Sequence, residues 1–186
     1  MGGRVEEIFV TGDGSAAMES VEEVETVEGC GIKGDRYCEG TGFWVQYGDV
    51  CQVTLIEGEH LDEIEEQGLA IKSGQHRRNI VTRGVDLIGL RGKRFRIGEV
   101  VLEYDRSRPP CRHVQDLSER GMTRALRNRG GICARVIQAG RIRPQDIIEE
   151  AKTPRRDAPA GRLRPQLQRG AGSGGVQPLP GTGDSW

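Results

Sequence analysis

The chain has 186 residues, of which 35% are hydrophobic, 30% charged and 4% aromatic, and it carries 28 glycines. That length suits one domain with a sizeable core, and the composition is globular and rich in loops. Strictly apolar runs stop at three residues, as in Val100-Val101-Leu102, which excludes a transmembrane helix.

The chain opens Met1-Gly2-Gly3-Arg4-Val5-Glu6-Glu7 without an apolar stretch, so no secretory leader is expected. Five irregularly spaced cysteines argue against a disulfide framework and for a reducing, cytoplasmic setting.

The net charge of -1 hides an asymmetry. Residues 1–70 hold 3 basic against 17 acidic side chains, whereas residues 77–112 hold 10 basic against 4 acidic. A pI near 6.3 argues against a general nucleic-acid coat. Two readings of the asymmetry stand open. The arginines form a specific anion site, or the two halves neutralise each other across the folded surface.

Along the chain, Val50 to Ile56 is apolar and β-branched and reads as a strand. Glu57-Gly58-Glu59 then opens a helix carrying Leu61 and Ile64 on one face, with Gly68 at its C-terminal cap. Arg78 to Thr82, followed by Gly84, reads as a strand ending in a turn. Phe95 to Tyr104 reads as two strands around Gly98. A second helix is expected near Ser118, carrying Met122, Ala125 and Leu126 and ending at Gly130-Gly131. Ile132 to Ile137 and Asp146 to Ile148 supply the last strands.

Many short strands, glycine turns and two or three short helices predict a mainly β fold, a partly closed β-barrel, over residues 1–150. From residue 151 to 186 the chain has 7 glycines and 5 prolines without apolar periodicity, and it reads as a disordered basic tail.

Three segments carry candidate chemistry. Glycines around Lys33-Gly34-Asp35-Arg36 allow a tight turn that presents Lys33 and Arg36 to a phosphate; the alternative is an ordinary salt-bridged turn. In Gln75-His76-Arg77-Arg78-Asn79, two consecutive arginines on a strand point to opposite faces, so at most one enters a barrel mouth, where it would clamp a phosphate while the Asn79 amide reads a polar edge. An exposed cationic strand paired with the acidic half is the rival reading.

The third segment is Arg106-Ser107-Arg108-Pro109-Pro110-Cys111-Arg112-His113. The prolines impose an extended approach to Cys111, and the cations favour a thiolate suited to soft-metal ligation or persulfide carriage. Cys30, Cys51 and Cys133 read instead as small buried hydrophobes. His76 and His113 are candidate bases, though nothing local marks a protease. Zinc spacings, phosphate loops of the Walker type, dinucleotide fingerprints and base-stacking aromatics on the basic strand are all missing.

In order, Gly34-Asp35-Arg36-Tyr37, Gln52 to Ile56, Arg77 to Leu87, Leu90-x-Gly92, Phe95-x-Ile97-Gly98, Pro110-Cys111 and Gly130 to Val136 followed by Gly140 resemble the MOSC domain family, homologous to the C-terminal part of molybdenum cofactor sulfurases. The resemblance runs from about residue 20 to 148. It implies a barrel of the pyruvate-kinase barrel-domain type and binding of a molybdopterin cofactor. It further implies Cys111 as molybdenum ligand and catalytic residue, with Arg77 and Asn79 holding the pterin and its phosphate. With the three segments above, the candidate cofactor-binding residues are Lys33, Asp35, Arg36, Arg77, Arg78, Asn79 and Arg108.

Active relatives reduce N-hydroxylated small molecules; others handle cofactor sulfur. A non-catalytic carrier of the molybdenum cofactor is the alternative. The implied partners are the cofactor and either an electron-donor protein or a cofactor-receiving apo-enzyme, without nucleic acid or membrane. Pro109 stands where amidoxime-reducing relatives carry serine, and Gln145 where a Gly-Asp turn is usual.

Overall fold

A computed structural model describes residues 2–48 and 51–151, and the tail expected beyond Ala151 lies outside the described residues. In chain order the strands are β1 (Gly3–Val10), β2 (Glu19–Ser20), β3 (Val24–Val27), β4 (Gly31–Ile32), β5 (Val53–Glu57), β6 (Ile80–Arg83), β7 (Arg94–Ile97), β8 (Val100–Ser107), β9 (Ile132–Gln138), β10 (Arg141–Ile142) and β11 (Ile147–Glu150). Three short helices are α1 (Gly58–Glu66), α2 (Arg112–Asp116) and α3 (Met122–Ala125).

Seven strands close into a barrel in the order β1-β6-β5-β9-β8-β7-β11, and β11 returns to β1 through Gly3↔Ile148 and Arg4↔Ile147. All neighbours run antiparallel except β5 and β6, whose parallel pairing requires a crossover, supplied by α1 and the loop after it. β2 extends β1, while β10, β3 and β4 form a separate small sheet. The expected mainly β barrel is therefore present, fully closed.

Strand alternation divides the apolar residues between two cores. Val53, Leu55, Ile80, Phe95, Leu102, Ile132 and Val136 fill the barrel interior. Ile56, Val81 and Phe9 point outward and join Leu61 and Ile64 of α1, Val114 of α2 and Met122 of α3. This explains why β5 is buried at every position. Full burial of each such side chain contributes about 1.5–3 kcal/mol.

Strand β1 breaks the two-residue period that would reveal it. A bulge between Val5 and Glu7 puts both Val5 and Ile8 inside the barrel. The second expected helix also differs: α3 is confined to Met122–Ala125, while α2 begins at Arg112, with Cys111 as the cap between it and the two prolines.

Cys30 and Cys38 are joined by a disulfide, with Cα atoms 4.8 Å apart, so the sequence-based reading of Cys30 as a buried hydrophobe is corrected. The β3–β4 hairpin places Cys30 beside the turn in which Glu39 N donates to Asp35 O, and this brings the two sulfurs together. Cys51 and Cys133 are buried, as their apolar surroundings predict, and burial pushes the Cys51 thiol well up.

Two backbone positions fix how the barrel ends meet. Gly131 has φ +77, and a Cβ there would run into the Leu55 carbonyl. Gln145 adopts φ 72, the left-handed conformation that a Gly-Asp turn would supply, and β11 then enters its pairing with β7. The side chain tolerates this at a cost of about 1–2 kcal/mol.

His76 is completely buried, edge-on to Phe9 at 5.1 Å, with Nδ1 accepting from Arg78 N at 3.0 Å. Burial, reinforced by the charges of Arg78, Arg36 and Arg77, lowers its pKa to about 3.

Gly131→Ala is expected to destabilise the domain by about 3 kcal/mol or more, because both strain and backbone overlap arise. Gln145→Gly should stabilise it by about 0.5–1 kcal/mol. Urea unfolding of both variants checks this. For His76, the unfolded chain takes up a proton near pH 6.5 and the folded one only near 3. Stability is thus complete above pH 6.5 and falls as the pH drops, by at most about 1.4 kcal/mol per pH unit. His76→Gln should show a shallower loss between pH 7 and 5 in the same experiment.

Candidate functional site

Asn79 lies fully buried just before β6, and every polar atom of its side chain is used. Its Oδ1 accepts from Thr54 N at 3.2 Å and Thr54 Oγ1 at 2.7 Å, while Nδ2 donates to Phe9 O at 3.2 Å and Asp35 Oδ1 at 2.9 Å. One amide thus ties β1, β5 and the segment after β4 together. Asp35, equally buried, also accepts from Thr11 N and Tyr37 N. Its Oδ1 meets Arg36 Nη1 at 3.1 Å, and Arg36 Nη2 donates to Arg77 O at 3.0 Å.

Arg77 is one of the few non-glycine residues with positive φ, at 61°. This conformation, before the strand begins, removes the expected alternation, and both Arg77 and Arg78 border one cavity. Arg77 Nη2 donates to Gly14 O at 2.7 Å and Nη1 to Ala16 O, holding the loop after β1 over the site. Arg78 donates Nε to Gly130 O at 2.7 Å, Nη1 to His76 O at 3.0 Å, and Nη2 to Arg108 O at 3.4 Å. Gly130 and Gly131 permit this close approach: a Cβ on Gly130 would overlap the Arg108 carbonyl.

The cavity measures about 190 Å³. One wall is the strap Arg108-Pro109-Pro110-Cys111, fixed by Arg108 N to Gly131 O at 2.8 Å. Cys111 is half-buried, extended at φ -126 and ψ 168, and caps α2. The facing wall is aromatic. Tyr37 accepts from Arg108 Nη2 at 3.1 Å and lies 4.5 Å beneath the Arg36 guanidinium. Phe43 stacks on His113 at 3.9 Å between centroids, and Trp44 packs edge-on against Phe43. The His113 ring nitrogen Nε2 lies 3.1 Å from Gly14 O.

The electrostatics are one-sided. Arg36, Arg77 and Arg78 are buried around a single buried carboxylate, Asp35, and the remaining partners of their guanidinium groups are mostly carbonyl oxygens. Burial lowers the pKa of Arg77 to about 10, with Arg36 adding to the effect. Arg78 is lowered to about 10 by burial and by Arg108. Both remain cations at neutral pH and lack the charge that would offset their desolvation.

The structure therefore gathers Arg36, Arg77, Arg78, Arg108 and Cys111 at one cavity. Asp35 and Asn79 stand behind it as supports. The amide of Asn79, fully engaged inside the protein, does not line the cavity and has no donor left for a ligand edge. Lys33 is exposed and paired with Glu25 at 3.1 Å, away from the lining. Arg112 is exposed and paired with Asp116, and His76 is sealed inside the protein. Sequence reasoning missed the aromatic wall of Tyr37, Phe43 and Trp44 and the role of Gly14. The Gly-Phe-Trp cluster in a chain with 4% aromatics was the available signal.

A family model described as the MOSC domain matches residues 43–149, a stretch that includes Arg77, Arg78, Asn79, Arg108 and Cys111 and begins after Asp35 and Arg36. No curated relative matches the sequence. The fold is similar to the YuaD protein from Bacillus subtilis, with TM-score 0.64 and 19% identity over 80% of this chain and 94% of that one. It is also similar to YiiM from Geobacillus stearothermophilus, with TM-score 0.60 and 16% identity over 81% and 75% of the two chains. For YiiM from Escherichia coli the values are 0.54, 20%, 81% and 70%. At these identities the structural likeness is one of fold. The family match, by contrast, spans more than half of the sequence and includes the cavity strap, and the chain belongs to the MOSC domain family.

Proposed function

We propose that the cavity binds a molybdopterin-type cofactor and that the protein uses it to reduce an N-hydroxylated small molecule. MOSC domains are associated with molybdenum-cofactor enzymes. The observation that carries the reading for this chain is the convergence of three buried guanidinium groups and a half-buried thiol on one cavity, with a single buried carboxylate, Asp35, behind them.

The residues fit such a group chemically. A cysteine thiolate is a soft ligand for molybdenum. The phosphate of the cofactor is the kind of anion that the Arg36, Arg77 and Arg78 cluster lacks, and Arg108 adds a further cation at the rim. When bound, the molybdenum centre supplies two-electron redox chemistry. Cys111 holds the metal end. The arginines hold the anionic end and keep the loops after β1 and before β9 in place through their carbonyl bonds. Phe43, Trp44 and Tyr37 exclude water and offer an apolar wall to an organic substrate, which favours reduction over sulfur handling. Electrons come from an external donor protein in this reading, and the setting is cytoplasmic. Among the described residues no helix is long and apolar enough to cross a membrane.

Protein purified from a cofactor-producing host is expected to carry molybdenum and a fluorescent pterin together. Cys111→Ser should lose molybdenum. Arg77→Ala should weaken pterin binding about ten-fold or more, equivalent to ~1.4 kcal/mol, with Arg77→Lys rescuing only in part because an ammonium lacks the planar fork. Arg91→Ala, at an exposed turn, should bind normally. Equal losses at Arg77 and Arg91 would mean diffuse attraction and no site. Turnover of a hydroxylamine with a chemical electron donor supports the reductase; cofactor transfer to an apo-enzyme without turnover points to the carrier.

A further inference from the structure

The Cys30–Cys38 disulfide closes a short loop that contains Asp35, Arg36 and Tyr37. Both sulfurs belong to half-buried residues, whereas Cys51 and Cys133 are buried, so this pair is the more accessible to an exchanging thiol. Cys30 is held on the β3–β4 hairpin: its N–H donates to Val27 O at 3.1 Å, and β4 pairs with β3 through Thr26↔Ile32. Cys38 is the residue after Tyr37, and Tyr37 is part of the cavity wall. The bond therefore anchors the wall to a hairpin on its outer side.

Beyond Cys38 the chain has little regular structure up to Gly48. Its described element is one 3-10 turn, Val45–Tyr47, flanked by Gly40 at φ +74 and Gly48 at φ +81, each with open space around it. The segment rests on a few contacts. Thr41 Oγ1 donates to Gly12 O at 2.6 Å, Thr41 N and Gly42 N donate to Arg36 O, and Phe43 stacks on His113. On the inner side the Asp35 carboxylate fixes Tyr37 N at 3.2 Å. Between that anchor and Thr41 the disulfide is the covalent restraint. It lowers the number of conformations open to the wall, as a short cross-link does for any loop.

We propose that the Cys30–Cys38 disulfide is a redox-operated strap on the cavity wall: closed, it fixes Tyr37 through Gly48 against the cavity, and opened, it loosens that wall and speeds escape of the occupant. The occupancy half of this rests on the proposed cofactor binding; the wall half does not. Opening is thiol–disulfide exchange. The thiolate of an external dithiol attacks one sulfur, the Cys30–Cys38 bond breaks, and the second thiol of the reductant resolves the mixed disulfide. Two electrons pass to the protein, two protons end on Cys30 and Cys38, and the reductant leaves as its own disulfide. In a reducing compartment a persistent structural disulfide is unusual, and one that forms there is typically transient or redox-sensing.

The test uses full-length protein in three forms: oxidised, reduced with a phosphine, and Cys30→Ser/Cys38→Ser. Alkylation and mass spectrometry establish the bond state, and hydrogen exchange is followed on peptides covering residues 37–48 and, as control, β8 and β9. In the reduced form and the double variant, exchange in 37–48 should be about ten-fold faster with the control unchanged. Reoxidation should restore the wild-type protein alone. Release of molybdenum and fluorescent pterin into buffer, measured on protein from a cofactor-producing host, should accelerate to a similar degree. Unchanged exchange in 37–48 with the bond shown open overturns the strap, as does faster exchange with unchanged release from loaded protein. Faster exchange in protein that carries no molybdenum or pterin in any form supports the control of the wall and overturns the cofactor reading instead.

Discussion

The Asp35–Asn79 hydrogen bond is the contact on which the rest of the site depends. A carboxylate with no exposed surface is costly to bury unless its oxygens are satisfied. Here the partners are two backbone N–H groups, the Asn79 amide and the Arg36 guanidinium. Asn79 in turn is fixed by Thr54 on β5 and Phe9 on β1. The rigid barrel thereby sets the position of Asp35, Asp35 sets Arg36, and Arg36 sets the Arg77 carbonyl. Losing either end strands several polar groups in the interior, each at a cost of about 1–3 kcal/mol. The seemingly ligand-like amide of Asn79 works for the fold first.

Carbonyl oxygens, rather than carboxylates, complete the shells of Arg77 and Arg78, and this choice has an electrostatic consequence. A carbonyl dipole satisfies an N–H without cancelling the cation. The cluster is thus held in fixed geometry while its charge stays available to an anion in the cavity, in a medium where charge acts more strongly than in water. The geometric requirement falls on the chain that supplies the carbonyls. Gly14 packs under the backbone of Thr41 and Phe43, and Gly130 and Gly131 let the strap and β5 approach. Glycines that look like loosely distributed turn residues in the sequence are the places where backbone meets backbone around the arginines.

The sequence shows the elements that carry a sustained apolar or amphipathic run. β5, the β7–β8 hairpin and β9 follow from apolar, β-branched runs between glycine turns, and α1 from Leu61 and Ile64 on one face. β1 escapes because its bulge changes the spacing of Val5 and Ile8. α2 escapes because five residues after two prolines carry one buried apolar residue, Val114, and no period. Around the site, Arg36, Arg77, Arg78, Arg108 and Cys111 were legible from residue type, but their division of labour was not. Which arginine faces a cavity depends on the left-handed turn at Arg77, which no residue type at that position announces. The disulfide was hidden for a similar reason: its closure depends on a hairpin and a turn folding toward each other, and an odd cysteine count obscures one pair among five.

The charge asymmetry of the chain resolves by burial. On the surface, arginines of the basic half meet acids of the first seventy residues or of neighbouring strands. Arg83 pairs with Glu6 and Asp62, Arg141 and Arg143 with Glu23, and Arg94 and Arg135 with Glu103. These pairs at or near the surface are each worth little, about 0–1 kcal/mol, but they occupy many of the outer cations. The interior follows the opposite rule: Arg36, Arg77 and Arg78 share one carboxylate. Mutual neutralisation therefore operates on the surface, where water screens charge, while the buried arginines around the cavity keep most of theirs where it does not. A nearly neutral protein can in this way hold a concentrated positive potential at one cavity without presenting a basic surface to indiscriminate anions.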